Sequence, residues 1–124
     1  IDQGLAPVIY GNGSQAYDFI YVTDVAKANL CALKSNASDD FYNVGRGIKT
    51  SIKKLVQLLM ELTGCQLNID YKSDGLTFVT HRIGSTEKAE RELGFKAGIE
   101  LREGLINVIK WRNKQPDTGT YDIK

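Results

Sequence analysis

Histidine, cysteine and proline are scarce in this 124-residue chain: it has one histidine, two cysteines and two prolines. One histidine and no Cys-x-x-Cys leave no spacing that suits a bound metal. Cys31 and Cys65 stand apart, one in an apolar helical pattern and one after a helix stop. Both read as reduced, packed thiols, which fits a cytoplasmic protein better than an oxidising compartment. No apolar run approaches the ~18–20 residues of a membrane span. Charge of one sign is missing too: 16 Lys and Arg face 15 Asp and Glu, a net of +1. That balance, with no basic stripe, speaks against a nucleic-acid partner. There is no Gly-x-Gly-x-x-Gly and no Walker loop, since Gly11-Asn12-Gly13 and Gly45-Arg46-Gly47 have the wrong spacing. No initiator Met stands at Ile1, so the chain reads as an excised piece.

What remains is an ordinary globular composition, 42% hydrophobic and 25% charged, of single-domain length. Val8-Ile9-Tyr10 is a short apolar run, and Gly11-Asn12-Gly13-Ser14 after it carries a hairpin signal. Phe19–Val22 reads as a strand, with Thr23 or Asp24 capping a helix to about Lys34 whose apolar side is Val25, Ala28, Cys31 and Ala32. A polar loop over 35–40 leads to a second strand at Phe41–Val44, ended by Gly45-Arg46-Gly47. Ser51 caps the clearest helix, in which Ile52, Leu55, Val56, Leu59 and Leu62 share a face and Gly64 ends the run. Leu67–Tyr71 alternates like a half-buried strand, and Thr77–Val79 is a brief one. Ser85 caps a helix over Thr86–Leu93, stopped by Gly94. A last helix runs from Leu101 to about Asn113, with Leu101, Leu105, Val108 and Ile109 on one stripe and Trp111 as a packing residue. The expected fold class is mixed α/β. The strands are too few for a self-sufficient doubly wound sheet, so some apolar helix surface is expected to belong against another layer. The expected boundaries are one domain over 1–114 and a polar, disordered tail over 115–124.

Composition and spacing go no further than that. Asp39-Asp40 reads as a solvated turn, and His81 has no nucleophile or orienting carboxylate near it in sequence.

Three stretches in order are more specific. The first is Pro7-Val8-Ile9-Tyr10-Gly11-Asn12-Gly13-Ser14-Gln15 running into Tyr17-Asp18-Phe19-Ile20-Tyr21-Val22 and Asp24-Val25-Ala26. The second is Phe41-Tyr42-Asn43-Val44-Gly45 with Thr50-Ser51-Ile52. The third is Ser85-Thr86-Glu87-Lys88-Ala89 through Leu93-Gly94-Phe95, then Leu101, Glu103-Gly104-Leu105 and Trp111. Together they resemble the extended short-chain dehydrogenases/reductases, the family of NAD-dependent sugar-nucleotide epimerases and dehydratases. The resemblance implies the small carboxy-terminal, substrate-binding domain without the Rossmann half. It implies NAD in the intact enzyme, bound by that other half, with no cofactor in this piece. It also implies a nucleotide-sugar partner (a UDP-sugar foremost), no catalytic residue here and a homodimeric parent. A non-catalytic nucleotide-sugar-binding or regulatory module is the alternative.

By the same resemblance, main-chain groups of Val8 and Tyr10 lie along a nucleotide base. A buried strand followed by a hairpin is the plainer account of those residues. Gln15 contacts a sugar or phosphate, or only water. Tyr17 stands where relatives carry an arginine for the pyrophosphate; a phenol has one hydroxyl and no charge. Arg82 is the candidate replacement, with His81 beside it, against a plain solvated loop arginine. Asp18, Asp24 and Asn43 read as anchors of loops and helix starts.

Overall fold

A computed structural model describes residue 1, residues 4–73 and residues 81–115. The elements are β1 (Val8–Tyr10), β2 (Ala16–Asp18), α1 (Val22–Lys34), β3 (Lys49–Ser51), α2 (Ile52–Thr63), β4 (Asp70–Lys72), β5 (His81–Arg82), α3 (Glu87–Leu93) and α4 (Leu101–Arg112). The strands form two small sheets. In one, β1 pairs in parallel with β4; in the other, β2 is central, antiparallel to β3 and parallel to β5. The mixed α/β class is therefore correct.

The core is small. Ala28 of α1 meets Ala89 and Leu93 of α3 and Phe95, with Ile20, Cys31, Tyr42, Val44 and Ala97 packed around them. Alanines at the α1–α3 contact let the two helices approach closely, and Phe95 fills the space beside them at 1% exposure. Asp24 is buried in the first turn of α1, where its carboxylate accepts from the main-chain N–H groups of Gly98 and Ile99 (2.8–3.1 Å). That fastens the chain leading into α4 onto α1. α2 has the strong apolar face its spacing predicts, yet no residue of it is fully buried.

Several expectations hold locally. The Ser51 hydroxyl accepts from Lys54 N–H, and Gly64 and Gly94 close their helices in the left-handed conformation (φ 69° and 65°). Both cysteines are free thiols. No described helix is long and apolar enough to cross a membrane.

Others are corrected. The strand expected at Phe19–Val22 lies at Ala16–Asp18, and Val22 already belongs to α1. Tyr21 keeps extended angles but its neighbours in the sheet are taken up three residues earlier. Neither Thr23 nor Asp24 caps α1: Tyr21 is the cap position, and Asp24 is one turn too deep. Phe41–Val44 forms no strand, because no described strand lies beside it to complete a ladder. The hairpin after β1 does not form either. Gly11 and Gly13 make the turn with φ of 76° and 73°, but it carries the chain from one sheet to the other. The strand expected at Leu67–Tyr71 begins only at Asp70, opposite Val8, since β1 offers just three residues to pair with. Thr86, not Ser85, is the cap position of α3, though Ser85 Oγ does accept from Glu87 N–H at 3.4 Å. Trp111 is 62% exposed on α4 and packs no core among the described residues. On α1, Val25 and Ala32 face outward, and on α4 so does Val108. The strand expected at Thr77–Val79 and the tail beyond Gln115 lie outside the described residues.

Candidate functional site

The free edge of β1 comes first. Pro7 C=O accepts from Asp70 N–H and Gly11 N–H donates to Lys72 C=O, both at 2.9 Å. In a parallel ladder this alternation turns residues 7, 9 and 11 toward β4 and residues 8 and 10 away. The main-chain groups of Val8 and Tyr10 therefore point to the outer edge, which no described strand covers. Their side chains are 42% and 59% exposed, while Ile9 between them is buried.

Gln15 connects that edge to the other sheet. Its Nε2 donates to Tyr10 C=O (3.1 Å), its own C=O accepts from Ile52 N–H (2.8 Å), and β2 starts at the next residue. Its Oε1 is buried without a protein donor among the described residues. Gln15 thus acts as a bracket between β1, β2 and the start of α2.

Tyr17 and Arg82 are register partners on β2 and β5, and they line one groove of about 210 Å³ with Asp18, Asn43, Val44, Gly45 and Gly84. Tyr17 is half-buried, its ring edge-on to Phe19 with centroids 6.1 Å apart. Arg82 is exposed, and no described carboxylate pairs with it. His81 shares the strand but does not line the groove. The site residues expected from sequence so fall into two neighbouring sets: Val8, Tyr10 and Gln15 around one edge, Tyr17 and Arg82 in one groove.

The floor of the groove is built by anchors. Asp18 accepts from Arg46 N–H (3.1 Å) and Gly47 N–H (2.8 Å), holding the 45–47 loop against β2. A Cβ on Gly45 would stand 2.2 Å from Asp18 Oδ2, so glycine is required for that approach. Asn43 Nδ2 donates to Ser85 C=O (3.3 Å), and a Cβ on Gly84 would crowd the Asn43 side chain at 3.0 Å. Gly84 and Val44 were not legible as site residues. The Arg82-x-Gly84 spacing is the only signal, and it is weak without the tertiary contact to Asn43.

A dinucleotide does not fit the glycine turns present. Gly13 is closed on by Lys53 Cβ and Ile9 Cγ2, at 3.1 and 3.2 Å from where its Cβ would be, and Gly45 by Asp18. Both turns are filled by the chain itself and do not open as a phosphate cradle at a helix start.

A second polar cluster, none of it lining this groove, joins the 38–42 loop to α3. Lys88 pairs with Asp40, donates to Phe41 C=O (3.2 Å), and sits 4.7 Å over the Tyr42 ring; Tyr42 donates to Glu92 (3.0 Å). The Lys88 ammonium holds the Asp40 carboxyl below the usual carboxylate range, and Asp40 in turn raises Lys88. Arg91 and then the Tyr42 hydroxyl lower Glu92. This cluster pins the loop to α3.

Comparison with known proteins gives the relatives of this arrangement. The profile of the NAD dependent epimerase/dehydratase family matches residues 1–45. A putative UDP-glucose 4-epimerase of Methanocaldococcus jannaschii is 38% identical over 106 residues, 86% of this chain and 34% of that protein. A dTDP-glucose 4,6-dehydratase of Haemophilus influenzae is 32% identical over 115 residues, 83% of this chain and 34% of that protein. Among solved structures, the UDP-glucose 4-epimerase of Thermotoga maritima with UDP-glucose superposes with a TM-score of 0.86 at 32% identity, covering 90% of this chain and 36% of that one. The UDP-N-acetylglucosamine 4-epimerase of Methanobrevibacter ruminantium, in complex with UDP-N-acetylmuramic acid, gives 0.85 at 28%, covering 92% and 36%. The chain thus spans about a third of the length of the relatives it matches.

Proposed function

From the membership of this chain in the NAD dependent epimerase/dehydratase family, we propose that it is the nucleotide-sugar-binding part of a sugar-nucleotide epimerase or dehydratase. The observation that carries this reading is the bracket at Gln15. Its amide occupies the Tyr10 carbonyl and sets the rest of the edge, the Val8 main chain and Tyr10 N–H, beside the strand whose Tyr17 shares a groove with Arg82, which pairs with no described carboxylate. An edge of fixed N–H and C=O groups suits the hydrogen-bonding rim of a base, and an unpaired guanidinium suits a phosphoryl oxygen.

In this reading the chain binds and orients. Val8 and Tyr10 meet the base, a uracil foremost; Arg82 takes phosphate with a hydrogen bond from Tyr17; Gln15 holds the two parts in register. NAD supplies hydride chemistry in the intact enzyme, and the described residues here hold no cradle for it. The reacting groups belong to the part of the enzyme that this chain does not represent. Alone, the chain is inactive. The exposed apolar residues of α1 and Phe41 suit contact with that other part, and a cytoplasmic homodimer is the proposed state of the whole.

The test is a titration of the isotope-labelled chain with UDP-glucose, followed by amide shifts. Shifts confined to residues 8–11, 15–18, 43–47 and 82–85 are expected, without turnover. Shifts scattered elsewhere, or none at millimolar ligand, refute it. Tight binding by the isolated chain points to the non-catalytic module instead.

A further inference from the structure

We propose that the apolar groove between α2 and α4 is the seat of an amphipathic helix that leads into Ile1 in the intact protein and ends at Gly4. Three observations carry this. The first is apolar surface left open. Ile52, Leu55, Val56, Leu59 and Leu62 make one face of α2, yet all five are only half-buried. Across the groove α4 offers Val108, 47% exposed, and half-buried Ile109. Two packed helices with apolar flanks leave a furrow that a third helix can fill, ridge into groove. The second is where the chain enters. Ile1 lines this groove together with Leu59, Leu62, Leu67, Val108 and Ile109, so one apolar residue from the start of the sequence already sits there.

The third is the backbone at Gly4. Its φ is +70°, and its N–H donates to Ile1 C=O, three residues back, at 3.1 Å. Gly64, which ends α2, has the same signature: φ 69° and an N–H to Glu61 C=O at 3.3 Å. Gly94 ends α3 at φ 65°. A Cβ at any of these three would meet nothing within 4 Å, whereas at Gly13 and Gly47, which form turns, it would meet the chain at 3.1 and 3.4 Å. A left-handed glycine in open space, bonded back by one turn, is how a helix stops. Ile1 then belongs to a last turn, and apolar residues three and four positions before it would continue along the furrow. None of the residues assigned to the nucleotide lines this groove. The inference rests on the reading above only in taking the chain as part of a longer enzyme, and either can fail without the other.

The experiment lengthens the chain. The 124-residue chain is compared with the same chain carrying the residues that precede Ile1 in its gene, and with a Gly-Ser extension of equal length. About fifteen residues suffice, since they make a helix of ~22 Å, a little longer than α2. Hydrogen exchange of the α2 and α4 amides is the readout. The natural extension is expected to slow it at least ~10-fold and the Gly-Ser extension to leave it unchanged. Val108→Lys in the naturally extended chain is expected to abolish the slowing while the α1 and α3 amides keep their rates. Leu67→Ser, on the opposite wall, replaces it should Val108→Lys not fold. A natural extension that protects no better than Gly-Ser overturns the proposal. So does slowing that survives the folded wall variant, which seats the helix elsewhere. Protection of the unextended chain that grows with its concentration also overturns it, because a second copy is then the occupant.

Discussion

Asp24 is 4% exposed, and its two carboxylate oxygens take three hydrogen bonds from the Gly98 and Ile99 amides. Removing it leaves two part-buried amide donors without a partner and frees the segment that leads into α4. Asp24→Ala is therefore expected to cost about 3 kcal/mol in urea unfolding, and Asp24→Asn less, because an amide oxygen still accepts. Gly45 is the second sensitive position. A methyl group there meets Asp18 Oδ2 at 2.2 Å, against a carboxylate that holds the 45–47 loop. Gly45→Ala is expected to lose about 2 kcal/mol, and to weaken the proposed nucleotide binding in the groove, both readable in one ligand-dependent melting series. Gln15 was legible as a polar residue beside a glycine turn. That its amide would bracket two sheets was not, since the partners are Tyr10 C=O and the start of α2.

Among the elements, α2 is the one whose sequence and structure agree at both ends. Ser51 caps it and Gly64 ends it at φ 69°. Ser51→Ala should cost about 1 kcal/mol by thermal unfolding, through the orphaned Lys54 amide. Gly64→Ala, forced into the left-handed region, should cost a similar ~1 kcal/mol. The 38–42 loop depends on charge instead. Asp40 is lowered and Lys88 raised by one another, so the pair stabilises the loop between two limits. The Asp40 contribution is full above its ordinary value of 3.8 and is lost as pH falls through its lower folded value. The Lys88 contribution is full below 10.5 and is lost as pH rises through its higher folded value. Amide shifts of residues 38–42 are expected to stay constant over the neutral range and to move together only below about pH 4. A transition near neutrality excludes the pair as the cause.

At the scale of the molecule, apolar surface is left over. Val22 is 68% exposed, Leu33 82% and Phe41 92%. Among the described residues, the core cluster is small: Ala28, Ala89, Leu93 and Phe95. Leu33→Lys with Phe41→Ser is expected to reduce concentration-dependent association in sedimentation while changing stability by under ~0.5 kcal/mol, as side chains in no core permit. A large loss of stability would mean that these residues pack in solution.

Local physics was legible in the sequence by itself. Helix positions followed from apolar spacing, two helix ends from glycine and the α2 cap from Ser51, because each depends on residues a few positions apart; the three ordered stretches carried a resemblance to a family. Strand pairing was decided only in three dimensions. Phe41–Val44 has every preference for a strand and forms none, since a ladder needs a neighbour that the described chain does not supply. Phe19–Tyr21 lost its place to Ala16–Asp18 for the complementary reason, as β3 and β5 pair with the earlier residues. The groove uniting Tyr17 with Arg82 joins positions far apart in the chain. Hydrogen bonds between strands, which no local pattern encodes, bring them together.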